Sequence, residues 1–432
     1  MIRALFLSGF LLALVACDSA PPAGSPVTLV FKHAKILGPA DPLPRLFREF
    51  EAQHPGVRVK SESLPWSADE QHQFYVINLE GGSPAFDVMM LDVIWVPEFA
   101  RAGWLKDLTP FVDRTEFAEH FPSAVEAASL DGRIWAIPWI MNAGLLYYRS
   151  DLLTRYGLRP PESYAELVAQ VRRIRAGESD PRLDGFLWQG KQYEGMVVNM
   201  LEALWANGTE LVDASGRAFP DPARAEEALA LRRMLIVSGV SPRWVTAGDE
   251  ELTRRAFGDG RAIFLRSWPY AMDLFQLPES AVRGKVGIAP LPRHVHGARG
   301  AGATGGAHLG VHVRTRHPEL AVALARFLTS ETAQRAMASG VALNPTRMRL
   351  YHDPELTRTH PALPAIRALT LGARPRPITP LYPMLSVAMQ PELSAVLVGL
   401  KTPAQAVSSA QRRLAHLLEA IPGGTDERAP TR

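Results

Sequence analysis

The sequence predicts an α/β protein made of two lobes. Near the amino terminus, short apolar runs typical of strands alternate with longer segments whose apolar residues recur at helical spacing. Such alternation is typical of folds in which helices pack on a largely parallel sheet. The chain has 432 residues, which is more than one ordinary domain contains, so two lobes are expected.

The first five elements follow from residue spacing. Residues 27–31 form a strand-like run, and the apolar residues of 43–50 fall at i, i+3, i+4 and i+7 of a helix. Alternation at 57–60 predicts a second strand, and a helix is expected at 69–80. The apolar run at 87–91 suits a strand buried on both faces.

Helices and loops are expected further along the chain. Ser163 followed by Glu166 is typical of a capping box, and the apolar stripe within 164–174 predicts one buried helical face. This stripe is interpreted as core packing. Two proline-rich segments, 361–364 and 375–383, are expected to be ordered loops, because apolar and aromatic residues lie among the prolines.

The first residues predict a secretory signal and a lipid anchor. The apolar run after Arg3 is shorter than the roughly 20 residues of a membrane-spanning helix, so residues 1–16 are interpreted as a signal peptide. Leu14-Val-Ala-Cys17 resembles the bacterial lipobox, whose cysteine is acylated and becomes the mature N-terminus. Residues 17–26 would then form a flexible tether. Because the chain has one cysteine, no internal disulfide can form.

Several function classes fit the sequence poorly. The net charge is only +3, and no basic stripe with interleaved aromatics is present, so nucleic acid is not an expected partner. Residues 300–305 match the spacing of a dinucleotide-binding loop but lack a strand before and a helix after them, so a mobile loop near a hinge is expected instead. His294 and His296 have no third ligand at a recognisable spacing. Neither a metal nor a cofactor is therefore predicted.

Clusters of aromatic and polar residues point to a carbohydrate ligand. Examples are Asp92 with Trp95, the segment 188–194, and Trp268 with Tyr270. The C–H faces of a sugar pack on aromatic rings, and its neighbouring hydroxyls bond to carboxylates, amides and guanidinium groups. The same residue types are frequent in protein cores. Carboxylates such as Asp92 and Glu194 could also serve a glycosidase, so a carbohydrate-active enzyme stays an alternative.

The order of these segments resembles the family 1 extracellular solute-binding proteins of ABC sugar importers, especially the trehalose/maltose-binding branch. No single segment is specific, but their colinear arrangement is. The segments that carry the resemblance are 47–59, 87–108, Gly132-Arg-Ile-Trp-Ala-Ile-Pro138 with 142–149, Gln189-Gly-Lys-Gln-Tyr-Glu-Gly195, 257–262, Trp268-Pro-Tyr270 and 376–380.

The resemblance implies a two-lobed periplasmic binding protein fold, similar to type II, whose hinge-linked lobes close over a ligand. The first lobe would comprise residues 27–141 and 304–340. The second would comprise 142–303 and 341–432. Such a protein is not an enzyme. Its closed, ligand-bound form docks on the permease subunits of the transporter.

By the same resemblance, the expected ligand is a disaccharide or short oligosaccharide, and the protein is expected to be a monomer held by its lipid anchor at the periplasmic face of the cytoplasmic membrane. A non-transport sugar receptor is a further alternative.

The resemblance also implies site residues, with Arg374 as the alternative to Arg376 if the register is displaced by two residues. The implied ligand-binding residues are Asp92, Trp95, Asn142, Gln189, Tyr193, Glu194, Trp268, Tyr270, Gly305, Gly306 and Arg376.

The sequence departs from this family pattern at two positions. Many relatives carry an acidic residue where Asn142 stands, and a tryptophan where Ala307 follows Gly305-Gly306. Loss of a tryptophan ring is expected to widen the cleft, which favours a bulkier or substituted sugar. The identity of the sugar therefore stays open at the level of sequence.

Overall fold

A computed structural model describes residues 26–36, 40–65, 67–297, 300–341 and 343–419. The predicted signal peptide, Cys17 and nearly all of the predicted tether lie outside the described residues. The described strands are β1 (Val27–Ala34), β2 (Val57–Leu64), β3 (Val88–Asp92), β4 (Ser129–Leu130), β5 (Arg133–Ile134), β6 (Ala136–Ala143), β7 (Leu145–Arg149), β8 (Asp184–Leu187), β9 (Ala262–Ser267), β10 (Val286–Ala289) and β11 (Thr304–Val311).

Helices make up most of the remaining described chain. Short 3₁₀ turns lie at Thr109–Phe111, Arg243–Ala247 and Met348–His352. The α-helices are α1 (Leu43–Gln53), α2 (Ala68–Glu80), α3 (Val96–Arg101), α4 (Arg114–Phe117), α5 (Pro122–Ala127), α6 (Ser150–Arg155), α7 (Tyr164–Glu178), α8 (Glu194–Ala206), α9 (Pro222–Val237), α10 (Glu250–Gly258), α11 (Ala271–Leu274), α12 (Pro318–Leu328), α13 (Glu331–Val341), α14 (Pro354–Thr359), α15 (Leu363–Leu371), α16 (Tyr382–Val398) and α17 (Pro403–Glu419).

A five-stranded sheet has the order β2-β1-β3-β11-β6. Strand β1 runs parallel to β2 and β3, whereas β11 runs antiparallel to β3 and β6. The register places Ala307 opposite Asp92 and Gly305 opposite Asn142. The ends of β3 and β6 and the start of β11 therefore meet at one edge of the sheet. Ligands of α/β proteins bind at such carboxyl edges.

A four-stranded sheet has the order β10-β7-β9-β8. Strand β7 is antiparallel to β10 and β9, and β8 is parallel to β9. Every residue of helix α8 is buried, and both α16 and α9 pack on it. Two segments leave the carboxyl ends of β8 and β9, and they carry Gln189 and Trp268.

The two sheets are joined where three backbone segments run side by side. The Gly144 N–H donates to Ala303 O at 3.0 Å, the Thr304 N–H to Arg374 O at 2.7 Å, and the Arg374 N–H to Gly302 O at 2.9 Å. A Cβ atom on Gly302 would lie 2.0 Å from the Gly144 oxygen. Glycine is required at Gly302 because only hydrogen fits between these backbones. We call these three segments the hinge.

Contacts after α13 bear on the lobe boundaries. The lobe boundaries predicted from sequence imply three places where the chain crosses between the lobes, near residues 142, 304 and 341. In the structure, the Met141 and Phe121 N–H groups donate to Asn344 O and Thr346 O, which keeps this stretch on the five-stranded sheet. Helices α14 and α15 continue to pack on neighbouring elements of that lobe, and α16 packs on α8. We propose that the third crossing lies at residues 372–376, with the other lobe boundaries as predicted.

The early elements are confirmed, and two loop predictions need correction. Helix α1 buries the predicted apolar face, and Ser163 accepts a hydrogen bond from the Glu166 N–H at 3.2 Å. The proline-rich segments are partly helical, because Pro364 and Pro383 occupy the first turns of α15 and α16. Proline is favoured there, since those N–H groups have no partner within the helix.

Candidate functional site

A cleft of about 420 Å³ lies between the two sheets. It contains side chains from the carboxyl edge of the five-stranded sheet and from the segments that follow β8 and β9. All the predicted ligand-binding residues except Gln189 line it, namely Asp92, Trp95, Asn142, Tyr193, Glu194, Trp268, Tyr270, Gly305, Gly306 and Arg376.

Arg376 joins the two sides of this cleft. Its Nη2 atom donates to Asp92 Oδ1 at 2.6 Å, and its Nη1 atom donates to Glu194 Oε1 at 2.9 Å. Asp92 ends β3 of the first sheet, and Glu194 begins α8 beside the second. Burial alone would lower the pKa of Arg376, but the two carboxylates outweigh it and raise that pKa. Arg376 therefore stays charged and binds both lobes together.

Glu194 is a buried carboxylate with several donors. Besides Arg376, it accepts hydrogen bonds from the Tyr382 hydroxyl at 2.8 Å and from the Ser386 hydroxyl. Its place in the first turn of α8 is favourable for an anion because of the helix dipole. Burial raises the pKa of Glu194 above its ordinary value, and the charge of Arg376 opposes that rise.

A second lobe-to-lobe contact involves Asp69 of α2. Its Oδ1 atom accepts from the Glu194 N–H at 3.3 Å, and its Oδ2 atom accepts from Gln390 Nε2 at 3.1 Å. Gln390 belongs to α16, which packs on α8. The lobes are therefore in direct polar contact at the rim of the cleft as well as at Arg376.

Trp268 offers an aromatic surface that is only partly buried. Its indole Nε1 donates to Glu250 Oε1 at 3.4 Å, and the Tyr193 hydroxyl donates to the other oxygen of Glu250. Burial raises the pKa of Glu250, and the bond from Tyr193 opposes that rise. The ring, the phenol and the carboxylate thus form one fixed wall of the cleft.

Glycines form the opposite wall. A Cβ atom on Gly305 would lie 3.0 Å from the Trp268 ring, so a larger residue would press against that ring. Gly306 has φ +116° and lies against the Ile140 oxygen, a conformation that favours glycine. Asn142 pairs with Gly305 across the strands and is partly exposed to the cleft.

Trp95 and Tyr270 also line the cleft, Trp95 from the hydrophobic core and Tyr270 from a partly buried position. Trp95 is buried and stacks on Phe99 with ring centroids 6.3 Å apart. Only a small part of its surface can meet a ligand. The Tyr270 hydroxyl donates to Glu251 Oε1 at 3.2 Å. Ala307, which is 1% exposed, forms part of the cleft floor opposite Asp92.

Gln189 does not line the cleft. Its side chain is fully buried, and its amide nitrogen donates to Thr253 Oγ1 and to Arg266 O, both at 3.0 Å. Its oxygen accepts from Asn199 Nδ2 at 3.1 Å. Because the amide is fully engaged in the interior, the direct role predicted for Gln189 is corrected to a supporting one.

The alternative register at Arg374 is not favoured. Arg374 lies over the Trp205 ring and pairs with Glu210, and both charged side chains are 43% exposed. Of the two arginines, Arg376 is the one that lines the cleft. The spacing predicted from sequence therefore needs no displacement.

Sequence reasoning missed several polar residues of the cleft. Glu250 lies within an acidic run that begins α10, a pattern that ordinarily indicates only a favourable helix start. Lys191 forms an ion pair with Asp249, and its Nζ atom lies 3.5 Å from Asp249 Oδ2. No spacing signal distinguishes such residues from surface charges. The other missed polar residues of the lining are Lys35, Ser67, Glu70 and Gln71.

A family model described as bacterial extracellular solute-binding protein matches residues 38–335. This chain belongs to that family. A probable ABC transporter-binding protein of Deinococcus radiodurans is 32% identical over 373 residues, which are 85% of this chain and 88% of the relative. The family match spans strands β2 to β11.

Solved structures support the same assignment for this solute-binding protein. Maltose-bound MalE3 of T. maritima matches with a TM-score of 0.85 and 37% identity, over 90% of this chain and 100% of the other. The predicted α/β fold with two lobes of the periplasmic binding protein type is thereby confirmed. Membership of the family implies an extracytoplasmic location and delivery of a bound solute to an ABC permease.

One more distant relative bears the name of an enzyme. Thiaminase-1 of Paenibacillus thiaminolyticus is 25% identical over 367 residues, 76% of this chain and 78% of the relative. The matched family and the T. maritima structure are of binding proteins.

Among the described residues, no three His, Cys, Asp or Glu side chains are grouped to hold a metal ion. The described helices also include none long and apolar enough to span a membrane.

Proposed function

We propose that this solute-binding protein captures a disaccharide, or another short oligosaccharide similar to trehalose or maltose, and delivers it to an ABC permease. The observation that carries the proposal is the pairing of an aromatic surface, Trp268, with fixed hydrogen-bonding groups at Asp92 and Arg376 in one cleft. A sugar needs both kinds of contact at once.

The size of the cleft supports a short ligand. Small-molecule pockets in proteins have volumes of roughly 300–1,000 Å³, and this cleft, at about 420 Å³, is near the lower end. A disaccharide fits such a space, whereas a long oligosaccharide would extend through the rim. The proposed ligand-binding residues are Asp92, Trp95, Asn142, Tyr193, Glu194, Trp268, Tyr270, Gly305, Gly306 and Arg376.

The second candidate is a carbohydrate-active enzyme. Such an enzyme would use Asp92 and Glu194, two carboxylates at the cleft, as its catalytic groups. Arg376, however, donates a hydrogen bond to one oxygen of each. A general acid must release its proton to substrate, and a carboxylate held by a permanent cation is poorly suited to that role. Incubation with maltose followed by chromatography decides between the candidates. We expect unchanged disaccharide; glucose release above a protein-free control would favour the enzyme.

We propose that Cys17 is lipidated and that the mature protein is a monomer at the periplasmic face of the cytoplasmic membrane. Cys17→Ser should release the protein into the soluble fraction while leaving its melting temperature unchanged, because the anchor is covalent lipid. Membrane fractionation with immunoblotting checks this. If parent and variant distribute identically between the two fractions, the lipoprotein proposal is wrong.

Ala307 tests whether the small residue on the cleft floor sets ligand size. The small residue favours a substituted disaccharide that is bulkier than trehalose or maltose. We expect Ala307→Trp to weaken binding of that native sugar about tenfold, because the added ring fills space that the ligand occupies, while trehalose or maltose binds as well or better. Titration of both proteins with all three sugars checks this, and Ala307→Ser is the matched small control. Tighter binding of the native sugar by Ala307→Trp would show that the small Ala307 side chain only fails to contact the ligand and does not make room for it.

A further inference from the structure

A buried ion pair lies beneath the wall of the cleft that Trp268, Tyr193 and Glu250 form, which we call the aromatic wall. Arg266, near the end of β9, donates from Nε to Glu202 Oε2 at 2.9 Å and from Nη2 to Glu202 Oε1 at 2.5 Å. The side chains of Arg266 and Glu202 are 1% and 0% exposed. Two parallel hydrogen bonds fix the guanidinium in one plane relative to α8.

The other contacts of Arg266 lead to the cleft. Its guanidinium carbon lies 4.0 Å from the centroid of the Trp268 ring, which is a cation–π geometry. Gln189 holds the same arginine, since Arg266 Nη1 donates to Gln189 Oε1 at 3.3 Å and Gln189 Nε2 donates to Arg266 O. The orientation of Trp268 therefore depends on a guanidinium that cannot rotate.

The other contacts of Glu202 lead to the hinge. Its Oε1 atom accepts a hydrogen bond from the Ala303 N–H at 3.0 Å. A Cβ atom on Gly144 would lie only 2.0 Å from that oxygen, so the carboxylate is in close contact with a second hinge segment. The pair thus joins the aromatic wall of the cleft to two of the three hinge segments.

Stability alone gives a weak reason for such a pair. Replacing a buried ion pair by apolar residues of similar volume is often neutral or stabilising, whereas removing one partner is strongly destabilising. The geometry points to a positional role. We propose that Arg266 and Glu202 are positioning residues that couple the orientation of the Trp268 ring to the hinge at Ala303. The effect on affinity rests on the proposed function, in which Trp268 contacts the sugar.

The test replaces both partners in the full chain, as Arg266→Met with Glu202→Met. We expect a melting temperature close to that of the parent and a maltose affinity about tenfold weaker, within the range measured for residues that couple sites. Two readouts need no sugar. Hydrogen exchange at the Ala303 amide should become faster, and the ¹⁹F resonance of fluorotryptophan at Trp268, assigned with Trp268→Phe, should shift or broaden.

The chain offers a matched control in Arg374 and Glu210. This pair also places a guanidinium over a tryptophan, Trp205, with its carbon 5.0 Å from the centroid, but it is exposed. These replacements change side chains only and keep the backbone hydrogen bonds of Arg374 in the hinge. Arg374→Met with Glu210→Met should therefore leave maltose affinity, Ala303 exchange and the Trp268 resonance unchanged. Equal effects in both double variants would overturn the proposal.

Further outcomes keep the inference separate from the proposed function. If the buried double variant leaves the Trp268 resonance and Ala303 exchange unchanged, the coupling is absent and the proposal is wrong. If the parent binds no sugar, the proposed function fails, while the two ligand-free readouts still decide the coupling. Should the double variant not fold, Arg266→Lys keeps the positive charge and loses the planar stacking. It must then shift the Trp268 resonance for the proposal to stand.

Discussion

Arg376→Met is expected to lower the free energy of unfolding by about 3 kcal/mol, because removing one partner of a buried ion pair leaves the remaining charge uncompensated. The variant would leave Glu194 buried without its cation and Asp92 without its link to the other lobe. We also expect sugar affinity to fall at least about tenfold, since a charge-assisted hydrogen bond contributes roughly 1.5–3 kcal/mol. Chemical denaturation and calorimetric titration measure the two effects.

The stability loss should depend on pH in a defined direction. Burial raises the pKa of Glu194 in the folded protein above its ordinary value of 4.5. A raised folded pKa contributes stability that is present below the unfolded pKa and is lost as the pH rises through the folded pKa. Without Arg376 the pKa of Glu194 rises further. The loss should therefore be larger at neutral pH than near pH 4.5, and equal losses at both would contradict this account.

Two variants control the Arg376 experiment. Arg374→Met removes an exposed arginine two residues away and should change the free energy of unfolding by at most about 1 kcal/mol, as for other surface ion pairs. Adding Glu194→Gln to Arg376→Met removes the uncompensated charge, so it should recover part of the stability but not the affinity. Recovery of both would mean that Arg376 serves the fold alone.

Trp268→Ala is expected to weaken disaccharide binding by about 2 kcal/mol, or roughly thirtyfold in Kd, through loss of the aromatic surface and its buried area. Trp268→Phe keeps a ring in the cleft and should restore most of the affinity. Calorimetric titration of the three proteins with one disaccharide measures the effect. Unchanged affinity in Trp268→Ala would remove this ring from the site.

The fold could be predicted from sequence where one face of an element is buried. The apolar spacing of α1 and the continuous apolar run of β3 each have one physical explanation, and both elements formed as predicted. The prediction that the proline-rich segments are loops was wrong in part, because proline is common both in loops and in the first turn of a helix. Pro364 and Pro383 both stand in the first turn of a helix.

The candidate site could be predicted in its members but only partly in their roles. Aromatic and polar clusters located Trp268 and Arg376 near the cleft. Gln189 lies in one of the same clusters, yet its amide is engaged below the cleft with Arg266. The spacing of residues in the sequence cannot show whether the side chain of a loop residue points into the cleft or into the protein interior. Glu250 was missed because an acidic residue at a helix start needs no ligand to explain it.

The proposal that the cleft binds a disaccharide can be tested by calorimetric titration of the purified, detergent-solubilised full chain. The ligands to titrate are maltose, trehalose, larger maltooligosaccharides and the polyols mannitol and ribitol. We expect saturable binding of a disaccharide at one site per chain, weaker binding of the longer sugars, and loss of the disaccharide signal in Trp268→Ala. Saturable binding of a polyol alone, or equal disaccharide binding by the parent and Trp268→Ala, would contradict the proposal.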